Sequence, residues 1–284
     1  MEDRVVSSPG TLFVVATPIG HLGDFSFRGV EVLKAAAVIA CEDTRHTRRL
    51  LSHYDIDAPL TSLHAHSHDA TITRLLDRVE AGENVAYVTD AGAPGISDPG
   101  GQLVERAHAR GLKVVPIPGP SAVVTALMAA GFSADRFVFL GFLPKRGTAR
   151  AEMLTRIAGS PFTCVCYEAP GRTVALLQDL AGRCGPERPA AVGRELTKLH
   201  EEVRRGTLTE LVTYYEQHPA RGEVTVVIGS GSDVAPVDAT PVSDVDQDSL
   251  VRELRDTGAP SAVAKELSKR LGITRQAAYR LLTQ

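Results

Sequence analysis

Tryptophan is absent from the 284-residue chain, methionine occurs three times, and aromatic residues make up only 5%. Any core must therefore be built mainly from aliphatic side chains. Cysteine is scarce as well: Cys41, Cys164, Cys166 and Cys184 are scattered and mostly set in apolar runs. That argues against a disulfide scaffold and for a reducing compartment. Cys164 and Cys166 share a strand face, but no second pair matches them, so they read as core side chains rather than metal ligands. No apolar run reaches the roughly 18 residues of a membrane span. The opening MEDRVVSSPG lacks the apolar segment of a secretory signal. The expectation is a cytoplasmic protein with no membrane partner. Charge of one sign is also missing: the net value is −3, which excludes a global basic field for nucleic acid.

What is present is ordinary for a globular protein, 43% apolar and 23% charged, in a chain long enough for one large domain or two. Short β-branched runs alternate with helical patterns. Strands are expected at 12–17, 37–41, 85–89, 113–117, 137–142, 163–167, 190–195 and 224–229, and helices at 70–81, 101–111, 121–131 and 207–218. Near-continuous apolar strands alternating with helices predict α/β sheets covered on both faces. The rigid PIPGPS (116–121) divides the chain, giving an N-terminal α/β domain over 1–117 and a second over 118–231. Residues 232–248 carry five aspartates and no basic residue, and read as a linker. Residues 249–284 read as a small basic helical module. Within it, 261–282 has helix-turn-helix signals: Ala264, Leu267 and Leu271 at helical spacing, Gly272 for a turn and Thr274 as a cap. Such a module suits nucleic acid; docking on the body of the protein is the structural alternative.

The segment VTDAGAPGISDPGG (88–101) packs four glycines, two prolines and two aspartates after an expected strand. It lacks the Gly-Lys-Ser/Thr of a P-loop and the spacing of a dinucleotide fingerprint. Residues 85–101 contain no Lys or Arg, so a polyanion is a poor guest. Bare backbone and carboxylates suit hydroxyls, an amine or a positive centre. The structural alternative is turn and cap duty, as for Asp98 before the next helix. TPIGHLGD (17–24) and IPGPSAV (117–123) follow strands in the same style. Together they imply one cleft at the C-terminal edge of a parallel sheet.

The ordered set ATPIGHLGD, ACEDTRHTRRLL, TDAGAPGISDPG, PIPGPSA, GFLPKRG, YEAPGR, GRELTK and RGEVTVVI, spanning about 11–229, resembles the tetrapyrrole-methylase-like, class III S-adenosylmethionine methyltransferases. Within that family it is similar to bacterial enzymes that methylate a cytidine 2′-hydroxyl in small-subunit (16S) ribosomal RNA. The resemblance implies two α/β domains with S-adenosylmethionine in the cleft between them, a homodimer, and an rRNA substrate, alone or within the small subunit. It assigns cofactor binding to Pro18, Ile19 and Gly20, to Gly92, Ala93, Pro94 and Ile96, and to Ser121 and Ala122. From the second domain it adds Phe142, Tyr167, Leu196, Gly222 and Glu223.

For the reaction, Glu42 is a candidate base. Arg45 is a candidate to hold an RNA phosphate or orient a carboxylate, and Asp43 could equally cap the next helix. Arg45, Arg48 and Arg49 form a basic face that is either RNA-facing or simply solvated. In YEAPGR, Ala169 and Gly171 stand where relatives carry Ser and His, which leaves Glu168 as the better base there. Lys198 could contact phosphate or activate the hydroxyl. His64, His66 and His68 could gather a metal, but no further ligand is evident and loop or RNA-facing roles are preferred. Two other readings stay open: methylation of a small tetrapyrrole-type molecule, and a ligand-sensing nucleic-acid-binding regulator.

Overall fold

The computed structural model describes residues 8–63, 69–98 and 100–231, together with Val263, Glu266, Ala278 and Leu282. The histidine run at 64–68, the acidic stretch and nearly all of the basic C-terminal segment lie outside the described residues. The chain divides into two compact units, Met1–Asp233 and Val234–Gln284. In the second, the four described residues are helical, and Val263 and Ala278 are buried. No helix among the described residues is long and apolar enough to cross a membrane.

The first unit contains two five-stranded sheets. One is wholly parallel, built from β1 (Thr11–Val15), β2 (Val38–Cys41), β3 (Leu60–Ser62), β4 (Val85–Val88) and β5 (Lys113–Ile117), in the order β3-β2-β4-β1-β5. Its helices are α1 (Phe27–Ala35), α2 (Thr44–His53), α3 (Asp69–Glu80) and α4 (Gly100–Ala109). The central strands VIAC and VAYV are buried along their whole length because helices cover both faces. One face packs Leu12, Tyr87, Leu76 and Leu103 together; the other packs Val15, Leu33, Ile39 and Leu51.

The second sheet contains β6 (Phe137–Phe142), β7 (Thr163–Glu168), β8 (Pro189–Arg194), β9 (Glu202–Thr207) and β10 (Val224–Ile228), in the order β6-β7-β10-β8-β9. Only β6 and β7 are parallel; β10 runs antiparallel between β7 and β8, and β9 runs antiparallel to β8. One face is covered by α6 (Thr148–Ala158), α7 (Thr173–Cys184) and α8 (Leu208–Gln217), and Cys164 and Cys166 lie buried in that core. Burial pushes the Cys166 thiol up to about 12, so it behaves as an apolar side chain. The other face packs on α5 (Ala122–Ala130). The fold is thus α/β with two sheets, as expected.

The eight expected strands are all present, and two more were missed. Neither β3, three residues long at a sheet edge, nor β9, EVRRGT, is an apolar run. Both are edge strands, which need no apolar residues on both faces and so leave little periodic signal. The expected helix at 207–218 begins with a capping box, in which Thr207 and Glu210 satisfy each other's backbone N–H groups. Leu76 is fully buried beneath the parallel sheet. Leu76→Ala should cost about 2–5 kcal/mol and lower the melting temperature, with calorimetry as the check.

Candidate active site

The C-terminal ends of β1, β2 and β4 carry the loops 16–21, 42–43 and 89–98. The loops after β1 and β4 are tied by an antiparallel bridge, with Thr17 N–H donating to Gly92 O at 2.9 Å and Gly92 N–H to Thr17 O at 3.1 Å. Two cavities open beside this bridge. The first, about 500 Å³, is lined by Ile19, Glu42, the 89–93 and 96–98 segments, Ser121 and Ala122, and by Phe142, Tyr167–Pro170 and Gly222–Thr225. The second, about 370 Å³, is lined by Thr17–Gly20, Leu22, His46, Thr47, Arg49, Leu50, Thr89–Ala91, Lys198 and Glu223.

The two differ in charge. Five acidic residues line the first cavity, Glu42, Asp90, Asp98, Glu168 and Glu223, of which Glu168 has a fully buried side chain, and no Lys, Arg or His lines it. The second adds His46, Arg49 and Lys198. An acidic chamber favours a compact cation, while its neighbour sets Arg49 and Lys198 beside Asp90 and Glu223 and is mixed in charge.

The carboxylates are held differently. Asp98 accepts the Gly95 and Gly100 N–H groups, each at 2.6 Å, and the Tyr87 hydroxyl at 3.3 Å, so it folds its own loop and opens α4. Burial, then the charge of Asp98, drives the Tyr87 phenol well above its ordinary range. Glu168 is fully buried. Its Oε1 accepts the Ala169 N–H at 2.8 Å and the Arg172 Nε at 2.7 Å, and Arg172 closes an ion pair on it. Arg150 stands 3.9 Å from Oε2, which has no hydrogen bond of its own. The Glu168 carboxylate is thus committed to the Ala169 amide and to Arg172, contacts that hold the loop after β7 in place. Asp43 caps α2 through the Arg45 N–H at 2.8 Å, the structural option in the sequence.

Opposite them, the turn after β8 joins the two halves. Glu195 and Thr197 both adopt left-handed backbone, at φ 49° and 66°. Such conformations in non-glycine residues persist only where surroundings enforce them. Here the His21 N–H donates to Thr197 Oγ1 at 3.1 Å, and a Cβ on Gly20 would run into the Lys198 and Thr197 side chains. Glu195 Oε1 accepts the Glu223 N–H and the Lys198 ammonium, both at 3.0 Å, and Lys198 reaches Glu223 Oε2 at 3.2 Å. Desolvation of Lys198 is outweighed by these carboxylates, so its pKa is raised and it stays protonated at neutral pH. It can donate to an anion but cannot take a proton from a hydroxyl.

Of the residues expected at the cofactor, Ile19, Gly92, Ala93, Ile96, Ser121, Ala122, Phe142, Tyr167, Gly222 and Glu223 come together around the first cavity. Pro18 and Gly20 line the second. Pro94 lines neither, and Leu196 is buried in the core with Val123 and Ala126. Glu42 lines the first cavity and Lys198 the second, Glu168 stands in the first cavity's wall with its side chain buried, and the Arg45 side chain is 90% exposed and folds back on Asp43. Thr89, Asp90, His46 and Arg49 also line these walls. The aspartate and the arginine had a sequence signal, in the DAG loop and the basic α2 face; Thr89 and His46 lay within the same motifs but were assigned no role.

The Glu223 N–H and the Lys198 ammonium hold the Glu195 carboxyl below its ordinary value of 4.5. The stabilisation is complete above that value and disappears as pH falls through the lowered one. Glu195→Gln should therefore lower the melting temperature at neutral pH, with the gap to wild type closing in acid; melting curves across pH test this.

Comparison with known proteins identifies the family. The family model for Tetrapyrrole (Corrin/Porphyrin) Methylases matches residues 11–212. The chain is 43% identical over 276 residues to the ribosomal RNA small subunit methyltransferase I of Xylella fastidiosa (strain Temecula1), covering 96% of this chain and 99% of that protein. It is 41% identical over 273 residues to the protein of the same name from Synechocystis sp., covering 96% and 97%. The solved uroporphyrin-III C-methyl transferase from Thermus thermophilus, complexed with S-adenyl homocysteine, shares the fold with a TM-score of 0.55 at 19% identity, covering 80% of this chain and 100% of that one. The chain belongs to the tetrapyrrole (corrin/porphyrin) methylase family and, within it, groups with the ribosomal RNA small subunit methyltransferase I proteins.

Proposed function

We propose that the chain is an S-adenosylmethionine-dependent methyltransferase acting on the ribose 2′-hydroxyl of a cytidine in small-subunit (16S) ribosomal RNA. The observation that carries this reading is the pair of adjoining cavities, one acidic and one of mixed charge, in a chain that matches proteins named ribosomal RNA small subunit methyltransferase I over almost their whole length. Bound S-adenosylmethionine supplies an electrophilic methyl group on a sulfonium cation. The first cavity fits such a guest: it offers carboxylates and backbone, and no side-chain cation that would repel the sulfonium. Phe142 and Tyr167, with ring centroids 5.4 Å apart, provide an aromatic wall for a planar base. Gly92, Ala93, Ser121 and Ala122 provide close backbone, while Asp98 and Glu168 keep the walls in place.

In the second cavity Arg49 and Lys198 hold the RNA backbone by its phosphates, and Arg45 and Arg48 extend this face across the exposed side of α2. α2 has no acidic residue in its first turn, and its early cations run against the helix dipole, a cost that makes sense for a surface meeting phosphate. The rRNA reading puts the protein in the cytoplasm with the ribosomal subunit as partner.

We infer a homodimer as well. α5 carries no charged residue and exposes Val124 and Met128 at 51% and 80%, an apolar face that a second copy would cover. Met128→Glu should shift the protein to monomers in sedimentation velocity without lowering its melting temperature by more than a few degrees.

The functional test supplies labelled S-adenosylmethionine to small subunits from cells lacking the gene, to naked rRNA and to a tetrapyrrole precursor. Label mapping to a 2′-O-methylcytidine is expected. Label in the tetrapyrrole alone would overturn the RNA reading.

A further inference from the structure

Ile19, Thr89, Asp90, Ala91 and Glu223 line both cavities and form the wall between them. A group passing from a donor in the first cavity to an acceptor in the second crosses at this wall. It contains two ionisable side chains. Glu223 is paired with the Lys198 ammonium at 3.2 Å. Asp90 has no ion pair among the described residues; its Oδ1 accepts one neutral donor, the Asp43 N–H, at 3.0 Å. That bond fixes the carboxylate against the start of α2.

The other candidates fall away on position or charge. Glu42 and Asp98 line the first cavity only, and His46 the second only. Glu168 is gripped by Arg172. Lys198 is already protonated.

We infer that Asp90 is a catalytic residue: at the wall between the cavities its carboxylate accepts the proton of the attacking ribose hydroxyl. The inference rests on the methyl-transfer reading above. As the new O–C bond forms, the C–S bond breaks with its electron pair left on sulfur, which becomes neutral. The hydroxyl proton moves to Asp90 and is later released to water. The groups near Asp90 are Glu42, Asp43, Cys41 and Tyr87, with His46, Arg49, Lys198 and Glu223 around the second cavity. A carboxylate so placed takes the proton late, when the oxygen has become acidic.

Asp90→Asn keeps the volume and an oxygen for the Asp43 N–H while removing the base. Single-turnover methyl transfer to small subunits should fall about 100-fold or more. Calorimetric affinity for S-adenosylhomocysteine, which lacks the sulfonium charge, and filter-binding affinity for the subunit should stay within about threefold of wild type. The variant's rate should climb about tenfold per pH unit through neutrality, as hydroxide replaces the lost base, while the wild-type rate stays flat. A variant rate within about fivefold of wild type would overturn the assignment, as would a loss matched by equal loss of product or subunit binding. If the wild-type chain itself transfers no methyl group to subunit RNA, the rRNA reading falls and Asp90's role falls with it.

Discussion

Both cavities exist because one loop from the parallel sheet is driven into the second half of the molecule. Ile19 is the parallel half's residue in the core beneath α5, where it packs with Val123, Leu127 and Leu196. Gly20 follows at once and lets the loop lie against Thr197 and Lys198, where a side chain would collide. The opposing turn answers with two left-handed residues, Glu195 and Thr197, locked by the Glu223 amide and the Lys198 ammonium. Close packing of Ile19 and close backbone approach at Gly20 therefore set the gap between the sheets. Each cavity is the space left on one side of that contact.

Charge is then distributed across the gap. The carboxylates of Glu42, Asp90 and Asp98 come from the parallel sheet's C-terminal loops, where parallel strands all deliver their following residues to one edge. Glu168 and Glu223 come from the mixed sheet, at the end of β7 and just before β10, which meet because these strands are antiparallel neighbours. Cations are kept to the α2 side and to Lys198. Several of these groups hold structure first: Asp98 folds its loop, Asp43 caps α2, and Glu168 anchors Arg172. Asp90 is held by one neutral hydrogen bond at the wall between the cavities, where an ionised carboxylate keeps most of its capacity as an acceptor.

Much of this was legible in the sequence because the relevant signals are local. Apolar β-branched runs such as VIAC and VAYV announce strands buried on both faces, and TLTELVTYYEQH announces a helix. The DAG loop's lack of Lys and Arg announced a pocket unsuited to phosphate. β3 and β9 escaped because edge strands are short or polar. Leu196 was expected at the cofactor, yet its side chain turns into the core beneath α5. Side-chain direction in a left-handed turn does not follow from spacing.

The sequence by itself determined the alternation of strands and helices, the position of the glycine-rich turns and the sign of charge in each loop, since these depend on neighbours along the chain. Tertiary structure alone decided which carboxylates are spent on structure and which face a guest. Glu168 and Asp90 look alike in sequence, each an acid at the end of a strand. Glu168 is held by its own loop, through Arg172 and the Ala169 amide, and only the fold adds Arg150 beside it and sets the Asp43 amide on Asp90. The chemistry of a carboxylate is set by what stands within about 4 Å of it in space.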